Sequence, residues 1–145
     1  MKKTFSKTLS ANDVGATGGH QGGMLIPKTE TELLDFLPKL DATIKNPDAW
    51  IQCLDEDGNK RKFRYVYYNN RLHDPGGTRN EYRITYMTAY FRSVRAREGD
   101  SFEISRQDAD AEYSIKVVRY NDKVSEPAGE CTVRIKLSSP WRRVH

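Results

Sequence analysis

The 145-residue sequence has only two cysteines and three histidines. It also lacks any apolar run near the length of about 18 residues that a membrane span requires. Cys53 and Cys131 lie far apart without CxxC spacing, so we expect two reduced, part-buried thiols rather than a thiolate metal site. No apolar stretch follows the lysines of MKKTFSKTLS, so we do not expect this segment to be a secretory signal. The length fits one domain with a single core.

Common catalytic motifs are missing as well. The sequence contains no HExxH, GxSxG or phosphate-loop pattern, and TGGHQGG lacks the Gly-Lys-Ser/Thr ending of a phosphate loop. No lysine has Asp or Glu two positions before it, as the (Asp/Glu)-x-Lys triplet of many Mg²⁺-dependent nucleases requires. The sequence therefore predicts no catalytic and no metal-binding residue. An unrecognised nuclease site built around Asp13 and His20 stays open as an alternative.

Positive charge is unevenly distributed along the chain. Residues 1–59 contain six Lys or Arg against nine Asp or Glu, whereas residues 60–106 contain eleven against five. Nine of those eleven are arginines, whose planar guanidinium groups match phosphates and guanine edges. The pattern favours nucleic-acid binding, although an ordinary solvated surface can have the same composition.

Turn signals and alternating patterns predict a mainly β fold of about seven strands, either a small barrel or a sandwich. The predicted strands are MLIPK, the two sides of the Asp57-Gly58 turn, ITYMTAYFRSV, SFEIS, YSIKVVRY and CTVRIKL. TETELLDFLPKL predicts a short helix with a capping box of Thr29 and Glu32, which Pro38 limits in length. Its core-facing residues would be Leu33, Leu34, Phe36 and Leu37.

Two polar loops interrupt this pattern. The glycine loop, residues 10–23 (SANDVGATGGHQGG), contains five glycines and no aliphatic side chain larger than valine. The arginine segment, residues 73–83 (HDPGGTRNEYR), carries Arg79, Glu81 and Arg83, which point the same way if the backbone is extended. Arginines can read guanine, a glutamate can accept from a cytosine amino group, and glycines allow close approach to a duplex. A surface ion-pair ladder of little energetic consequence explains the pattern equally well.

These loops also carry a resemblance to a known family. SANDVGATGGHQ, the Ile26-Pro27 pair, YYNNR at 67–71 and TRNEYRIT at 78–85 closely resemble, in order and in spacing, the N-terminal effector domain of EcoRII-type restriction endonucleases. The resemblance covers roughly residues 8–90. It implies a mainly β fold, a seven-stranded open pseudobarrel of the B3-like type with one or two short helices. It further implies sequence-specific binding of duplex DNA at CCWGG, where W is A or T, without cleavage. The glycine loop and GGTRNEYR would enter the major groove as two arms, one for each half-site.

Candidate site residues follow from the resemblance together with the chemistry of the loops. His20 matches a DNA-contacting histidine of the family, and Arg79, Glu81 and Arg83 match its base-reading positions. The predicted base contacts are Asn12, Asp13, Gly18, Gly19, His20, Gln21, Arg79, Asn80, Glu81 and Arg83. The chain departs from the family's lysines at Gly77 and Tyr82 and from its tyrosine at Leu25, so some phosphate contacts must come from elsewhere. The predicted phosphate contacts are Lys7, Arg64, Arg71, Tyr82, Arg92 and Arg95.

The sequence thus predicts a single B3-like DNA-recognition domain over residues 1–145, in a monomeric, cytoplasmic, prokaryotic protein that binds no membrane. Its expected partners are double-stranded DNA and a C-terminal nuclease domain of the same polypeptide, which would lie beyond SSPWRRVH. No cofactor is expected for DNA binding, and Mg²⁺ would serve only that nuclease domain. The alternatives are a free-standing transcriptional regulator of the same fold, the small Mg²⁺-dependent nuclease, and an RNA-binding barrel.

Overall fold

The computed structural model describes residues 2–11, 13–14, 23–107, 112–120 and 141–144. Within these residues the fold is mainly β, as predicted. The strands are β1 (Lys2–Thr8), β2 (Met24–Ile26), β3 (Asp48–Leu54), β4 (Lys60–Tyr68), β5 (Glu81–Thr85), β6 (Ser101–Gln107), β7 (Tyr113–Val118) and β8 (Trp141–Arg143). The helices are α1 (Thr31–Phe36), α2 (Asn70–His73) and α3 (Thr88–Ser93). None of the helices in the described ranges is long and apolar enough to cross a membrane.

The eight described strands form one sheet that curls towards a closed barrel. The strand order is β2-β5-β4-β3-β7-β6-β1-β8, and every neighbouring pair is antiparallel except β3 with β7. The two edges meet because the indole Nε1 of Trp141 in β8 donates a hydrogen bond to the carbonyl oxygen of Leu25 in β2 at 3.0 Å. The predicted barrel-like architecture is therefore confirmed.

The core fills the inside of this barrel with aromatic and aliphatic side chains. In β4, Phe63, Tyr65 and Tyr67 are all buried, which follows from the period of two in a strand. The predicted turn between β3 and β4 is confirmed, and Asp55 organises it by accepting hydrogen bonds from the backbone N–H groups of residues 57 and 59. Arg61 completes the turn with an ion pair to Asp55 at 2.9 Å.

Helix α1 is confirmed, but its predicted capping box is wrong. The N-cap is Glu30 rather than Thr29, and no side chain caps the helix. Because the helix begins later than predicted, Glu32 lies in its first turn, where it forms an ion pair with Arg143 of β8. The apolar face is as predicted, with three of the four leucine and phenylalanine side chains buried and Leu34 half-buried.

ITYMTAYFRSV is not one strand, as predicted, but a strand followed by a helix. β5 ends at Thr85, the backbone turns at Tyr86 with a positive φ of 68°, and α3 begins at Thr88. Beyond the end of β5, the buried residues of this stretch are Met87, Tyr90, Phe91 and Val94. Their i, i+3, i+4, i+7 spacing has the period of a helix, so burial on the core side favours α3.

The carboxy-terminal strands differ from the prediction. CTVRIKL lies outside the described residues. Trp141–Arg143, for which the sequence pattern predicts no strand, forms β8, and Trp141 pairs with Lys7 of β1. This short strand is what brings the indole of Trp141 to the edge of β2.

Candidate nucleic-acid interface

The two polar loops lie at opposite ends of β5. The arginine segment leads into the start of β5, and the glycine loop returns beside its other end, because Met24 of β2 pairs with Ile84. Five residues of strand span about 17 Å, somewhat more than the major-groove width of about 12 Å. Outward-facing side chains of β5 therefore occupy the surface between the two loops.

Arg79, Glu81 and Arg83 form one connected cluster on this surface. The Oε2 atom of Glu81 accepts a hydrogen bond from Arg79 Nη2 at 2.8 Å and another from Arg83 Nε at 2.6 Å. The three side chains keep 41%, 29% and 21% of their surface exposed, in sequence order. The alternation predicted from the sequence is confirmed, and so is the ion-pair ladder.

Each arginine is held by a second contact that fixes its orientation. The guanidinium carbon of Arg79 lies 3.9 Å from the ring centroid of Tyr68 in β4, which pairs with Glu81. Arg83 Nη1 donates to the carbonyl oxygen of Gly23, the last residue of the glycine loop, at 2.9 Å. The cluster therefore connects the arginine segment to the returning end of the glycine loop.

The cluster also determines the charge state of Glu81. Burial acts to raise the pKa of Glu81, but the hydrogen bonds and positive charges of Arg79 and Arg83 outweigh it and hold the pKa below its ordinary value. The carboxylate is consequently ionised at neutral pH. It carries the acceptor oxygens that a base donor would need.

The backbone of the arginine segment is packed tightly against α2. Asn70 Oδ1 accepts from the backbone N–H of Arg79 at 2.8 Å, and the carbonyl oxygen of Arg79 accepts from the N–H of Arg71 at 3.0 Å. Gly77 lies so close that a Cβ on it would be 2.2 Å from the carbonyl oxygen of Asn70. The segment thus presents Arg79 from a defined turn.

Two other predicted residues of the segment face away from the cluster. Asn80 accepts a hydrogen bond from the hydroxyl of Tyr67 at 2.5 Å. Tyr82 stacks on Tyr67 with ring centroids 4.2 Å apart and planes within 5°, and burial raises its pKa. Asn80, just before β5, and Tyr82, within it, both contact Tyr67, so the structure does not bring them together with the charged row.

The start of the glycine loop forms a closed turn. Ser10 and Asp13 exchange hydrogen bonds between side chain and backbone at 3.0 and 3.1 Å, and Lys7 forms an ion pair with Asp13. Lys7 and Asp13 are only 6% and 5% exposed, so they stabilise the base of the loop rather than presenting groups to solvent. Five further predicted base contacts lie outside the described residues: Asn12, Gly18, Gly19, His20 and Gln21.

The predicted phosphate contacts outside the loops are spread over the surface. Arg71, Arg92 and Arg95 are exposed, on α2, on α3 and just after α3. Arg64 of β4 is held by Asp48 at 2.6 Å, and that hydrogen bond raises the pKa of Arg64. The first three are therefore better placed than Arg64 to meet a ligand.

The remaining predictions concern the cysteines and the side chains that could hold a metal ion. Cys53 is fully buried rather than part-buried, and burial, aided by the charge of Glu112, raises its pKa to about 12. Cys131 lies outside the described residues. Among the described residues, no group of three or more His, Cys, Asp or Glu side chains is arranged to hold a metal ion.

The structure adds several residues that sequence reasoning missed. Tyr68 and Asn70 support the arginine segment, and Arg97 and Arg119 line a basic cavity beside Arg95. Tyr68 and Asn70 occur within YYNNR, but their role depends on the β4–β5 register and on α2. No sequence signal links Arg119 to Arg97 across twenty-one positions.

Comparison with known proteins identifies the family. The model of the family "Restriction endonuclease EcoRII, N-terminal" matches residues 2–98. The chain belongs to this family. The EcoRII N-terminal match includes both polar loops and the whole of β5, so the resemblance predicted from their motifs is confirmed.

Two known proteins are similar to this chain. The type II restriction enzyme EcoRII of Escherichia coli is 41% identical over 96 residues, which are 63% of this chain and 23% of that enzyme. The aligned part of the chain thus spans less than a quarter of the length of that relative. The Arabidopsis FUS3–DNA complex has a TM-score of 0.58 at 22% identity, covering 79% of this chain and 94% of the FUS3 chain. This likeness confirms the B3-like fold of the EcoRII N-terminal family member.

Proposed function

We propose that this chain is a non-catalytic effector domain of a restriction endonuclease that binds CCWGG in duplex DNA. The observation that carries the proposal is the cluster of Arg79, Glu81 and Arg83, preorganised on the outer face of β5 between two polar loops. Family membership and the likeness to a fold solved in complex with DNA support it.

The hydrogen-bonding capacity of the cluster suits G·C pairs. Arg83 uses Nε and one Nη1 hydrogen for Glu81 and Gly23, which leaves the outer hydrogens of Nη1 and Nη2 to contact O6 and N7 of a guanine. Both described hydrogen bonds to Glu81 use Oε2, so Oε1 can accept from a cytosine amino group. A guanidinium, a carboxylate and a second guanidinium in a row match the G·C pairs on either side of the central A·T pair.

Preorganisation explains why the ion pairs do not argue against recognition. A free arginine side chain must give up rotamer freedom on binding, which costs roughly 0.5–1.5 kcal/mol for each immobilised side chain. Here Glu81, Tyr68 and the carbonyl oxygen of Gly23 already restrict both guanidinium groups. The ion pairs of Glu81 therefore contribute to affinity mainly by fixing the two arginine side chains before DNA binds.

The remaining contacts would come from both ends of β5. The glycine loop would supply further base contacts through Asn12, His20 and Gln21, with Gly18 and Gly19 allowing close approach to the duplex. Arg71, Arg92 and Arg95 would contact phosphates, since all three are exposed. Lys7, Asp13 and Tyr82 are left out because their side chains pack against the protein.

The partners of the domain follow from the same proposal. Double-stranded DNA is the ligand, and a nuclease domain on the C-terminal side of the same polypeptide would receive the effect of binding. Mg²⁺ would be needed by that nuclease domain alone. The chain would bind DNA as a monomer.

The test is a titration of this chain with a short CCWGG duplex in Mg²⁺ and again in EDTA, followed by electrophoresis of the DNA. We expect binding to CCWGG in both buffers and intact DNA, because recognition uses protein side chains and no metal ion. DNA cleavage that depends on Mg²⁺ would favour the nuclease alternative. Failure to prefer CCWGG over a duplex with one G·C pair swapped would contradict the proposed target.

A further inference from the structure

A second basic site lies beside the base of the glycine loop. A cavity of about 430 Å³ opens at the end of the barrel where β1 and β7 finish and β6 begins. The described residues that line it are Arg95, Arg97, Glu98, Asp100, Arg119 and Tyr120. None of these residues belongs to the cluster on β5.

Asp100 connects the parts of the chain that line this cavity. Asp100 is 4% exposed, and its carboxylate accepts from the backbone N–H of Arg97 at 3.0 Å, from that of Tyr120 at 2.8 Å and from Arg119 Nη1 at 3.3 Å. Burial acts to raise the pKa of Asp100, but these hydrogen bonds outweigh it and lower the pKa. Both oxygens of the carboxylate thus accept hydrogen bonds from the protein, and Arg119 offsets its charge.

Backbone hydrogen bonds of Gly99 and Asp100 connect the cavity to the start of the glycine loop. The backbone N–H of Leu9 donates to the carbonyl oxygen of Asp100 at 2.8 Å, and the N–H of Gly99 donates to that of Leu9 at 2.9 Å. The glycine loop begins at the next residue, Ser10. Whatever binds in the cavity therefore lies directly beside the point where that loop leaves the barrel.

Two arginines of the cavity carry positive charge that the described contacts do not use. Arg95 ends α3 with a positive φ of 54°, where the N–H of Ala96 reaches back to the carbonyl oxygen of Phe91 at 3.0 Å. Arg95 and Arg97 are exposed, and within the described part of the chain neither guanidinium forms an ion pair. Among the described lining residues, Glu98 is the one carboxylate left to oppose them, because Asp100 is already paired.

We propose that this cavity binds one phosphate of the DNA backbone, outside the recognition sequence on the side of the glycine loop. The inference rests on the proposed function and extends its footprint. Arg95 and Arg97 supply the guanidinium donors, and the half-exposed ring of Tyr120 packs against the adjoining deoxyribose. The contact carries no sequence information, so it raises affinity equally for target and non-target duplexes.

A methylphosphonate walk tests the position of this contact. Single uncharged linkages are placed one at a time along both flanks of a CCWGG duplex, and the affinity of each duplex is measured for the wild-type chain and for Arg95→Ala/Arg97→Ala. We expect one flank position that costs the wild type roughly tenfold. The double variant should bind the unmodified duplex weaker by a similar factor and should not respond to that modification.

Two matched variants separate the cavity from general surface charge. Glu98→Gln removes the opposing carboxylate and should tighten binding to long duplexes, with a steeper salt dependence. Lys116→Ala removes an exposed cation on β7, which lies across the sheet from β5, and should leave affinity unchanged. The midpoint of thermal unfolding should stay the same in all variants, since the altered side chains are exposed.

The salt dependence provides a test on any duplex. Loss of one phosphate contact should reduce the slope of log K against log salt concentration by about 0.9. The proposal is overturned if the double variant keeps the wild-type slope, or if no flank position loses its effect in that variant. A wild-type chain with no preference for CCWGG would count against the proposed function instead, because the salt slope does not depend on target choice.

Discussion

At the scale of single residues, Glu81 organises the candidate interface. One of its oxygens, Oε2, accepts from Arg79 and from Arg83, which come from positions two residues away on either side. The negative charge of the carboxylate thereby offsets the repulsion between the two guanidinium groups. Burial acts against the charged form of Glu81, but the two arginines stabilise it and lower its pKa.

Replacing Glu81 by Gln should give a stability difference that depends on pH. The ordinary pKa of the carboxyl group is 4.5, and the folded chain lowers it, so the ion pairs stabilise the fold fully above pH 4.5 and are lost as the pH falls through the folded-state pKa. We expect Glu81→Gln to lower the free energy of unfolding by about 1 kcal/mol or less at pH 7, since the pairs are partly exposed. Urea denaturation of both proteins from pH 7 to pH 3 measures the difference. A difference that does not shrink at low pH would show that packing, not charge, is responsible.

At the scale of elements, the turn between α2 and β5 positions Arg79. Gly76 and Gly77 are neighbours in this turn, but only Gly77 approaches another part of the backbone. A Cβ at residue 77 would lie 2.2 Å from the carbonyl oxygen of Asn70, whereas a Cβ at residue 76 meets nothing within 4 Å. Asn70 also caps the N–H of Arg79, so a displaced α2 would carry Arg79 with it.

The two glycines provide a matched pair of variants. Gly77→Ala should cost roughly 1–3 kcal/mol of unfolding free energy, because the backbone at Asn70 must move. It should also weaken binding to CCWGG by shifting Arg79. Gly76→Ala should change stability by about 0.5 kcal/mol or less. Chemical denaturation and DNA titration of both variants check this, and equal effects would mean that the close approach to Asn70 is unimportant.

The elements also show how far the sequence predicts this fold. Alternation was enough to place Arg79, Glu81 and Arg83 on one face, because the period of a strand is local. Tyr68 beneath Arg79 was not predictable, since that contact depends on which residue of β4 pairs with Glu81. The polar side chain of Asp13 suggests a base contact. Its burial against Lys7 depends on a turn that the sequence pattern does not predict. The pattern predicts a strand where α3 lies, because the helical spacing directly follows a true strand.

At the scale of the whole molecule, closure of the barrel holds β2 and β5 in place. β2 is a three-residue edge strand, and Gly23, its neighbour, accepts the hydrogen bond from Arg83. Trp141 supports the free edge of β2 through the carbonyl oxygen of Leu25. The last described strand therefore stabilises the returning end of the glycine loop from more than a hundred residues away.

Replacing Trp141 by Phe should test this closure. The variant keeps an aromatic ring against Phe102 but leaves the carbonyl oxygen of Leu25 without its partner, which costs about 1–3 kcal/mol of unfolding free energy. Trp50→Phe is the control, because Trp50 is 45% exposed on the outer face of β3. Thermal unfolding of both variants gives the comparison. Equal destabilisation would contradict a special role for the bond between β8 and β2.

The proposed function requires that Arg79 and Arg83 read G·C pairs rather than merely attract DNA. The direct measurement is the affinity of the wild type, Arg79→Ala and Arg83→Ala for a CCWGG duplex and for the same duplex with one G·C pair swapped, at physiological salt. We predict that each variant loses about 1–3 kcal/mol of binding free energy on CCWGG and much less on the swapped duplex. Equal losses on the two duplexes would make both arginines phosphate contacts and would contradict the account.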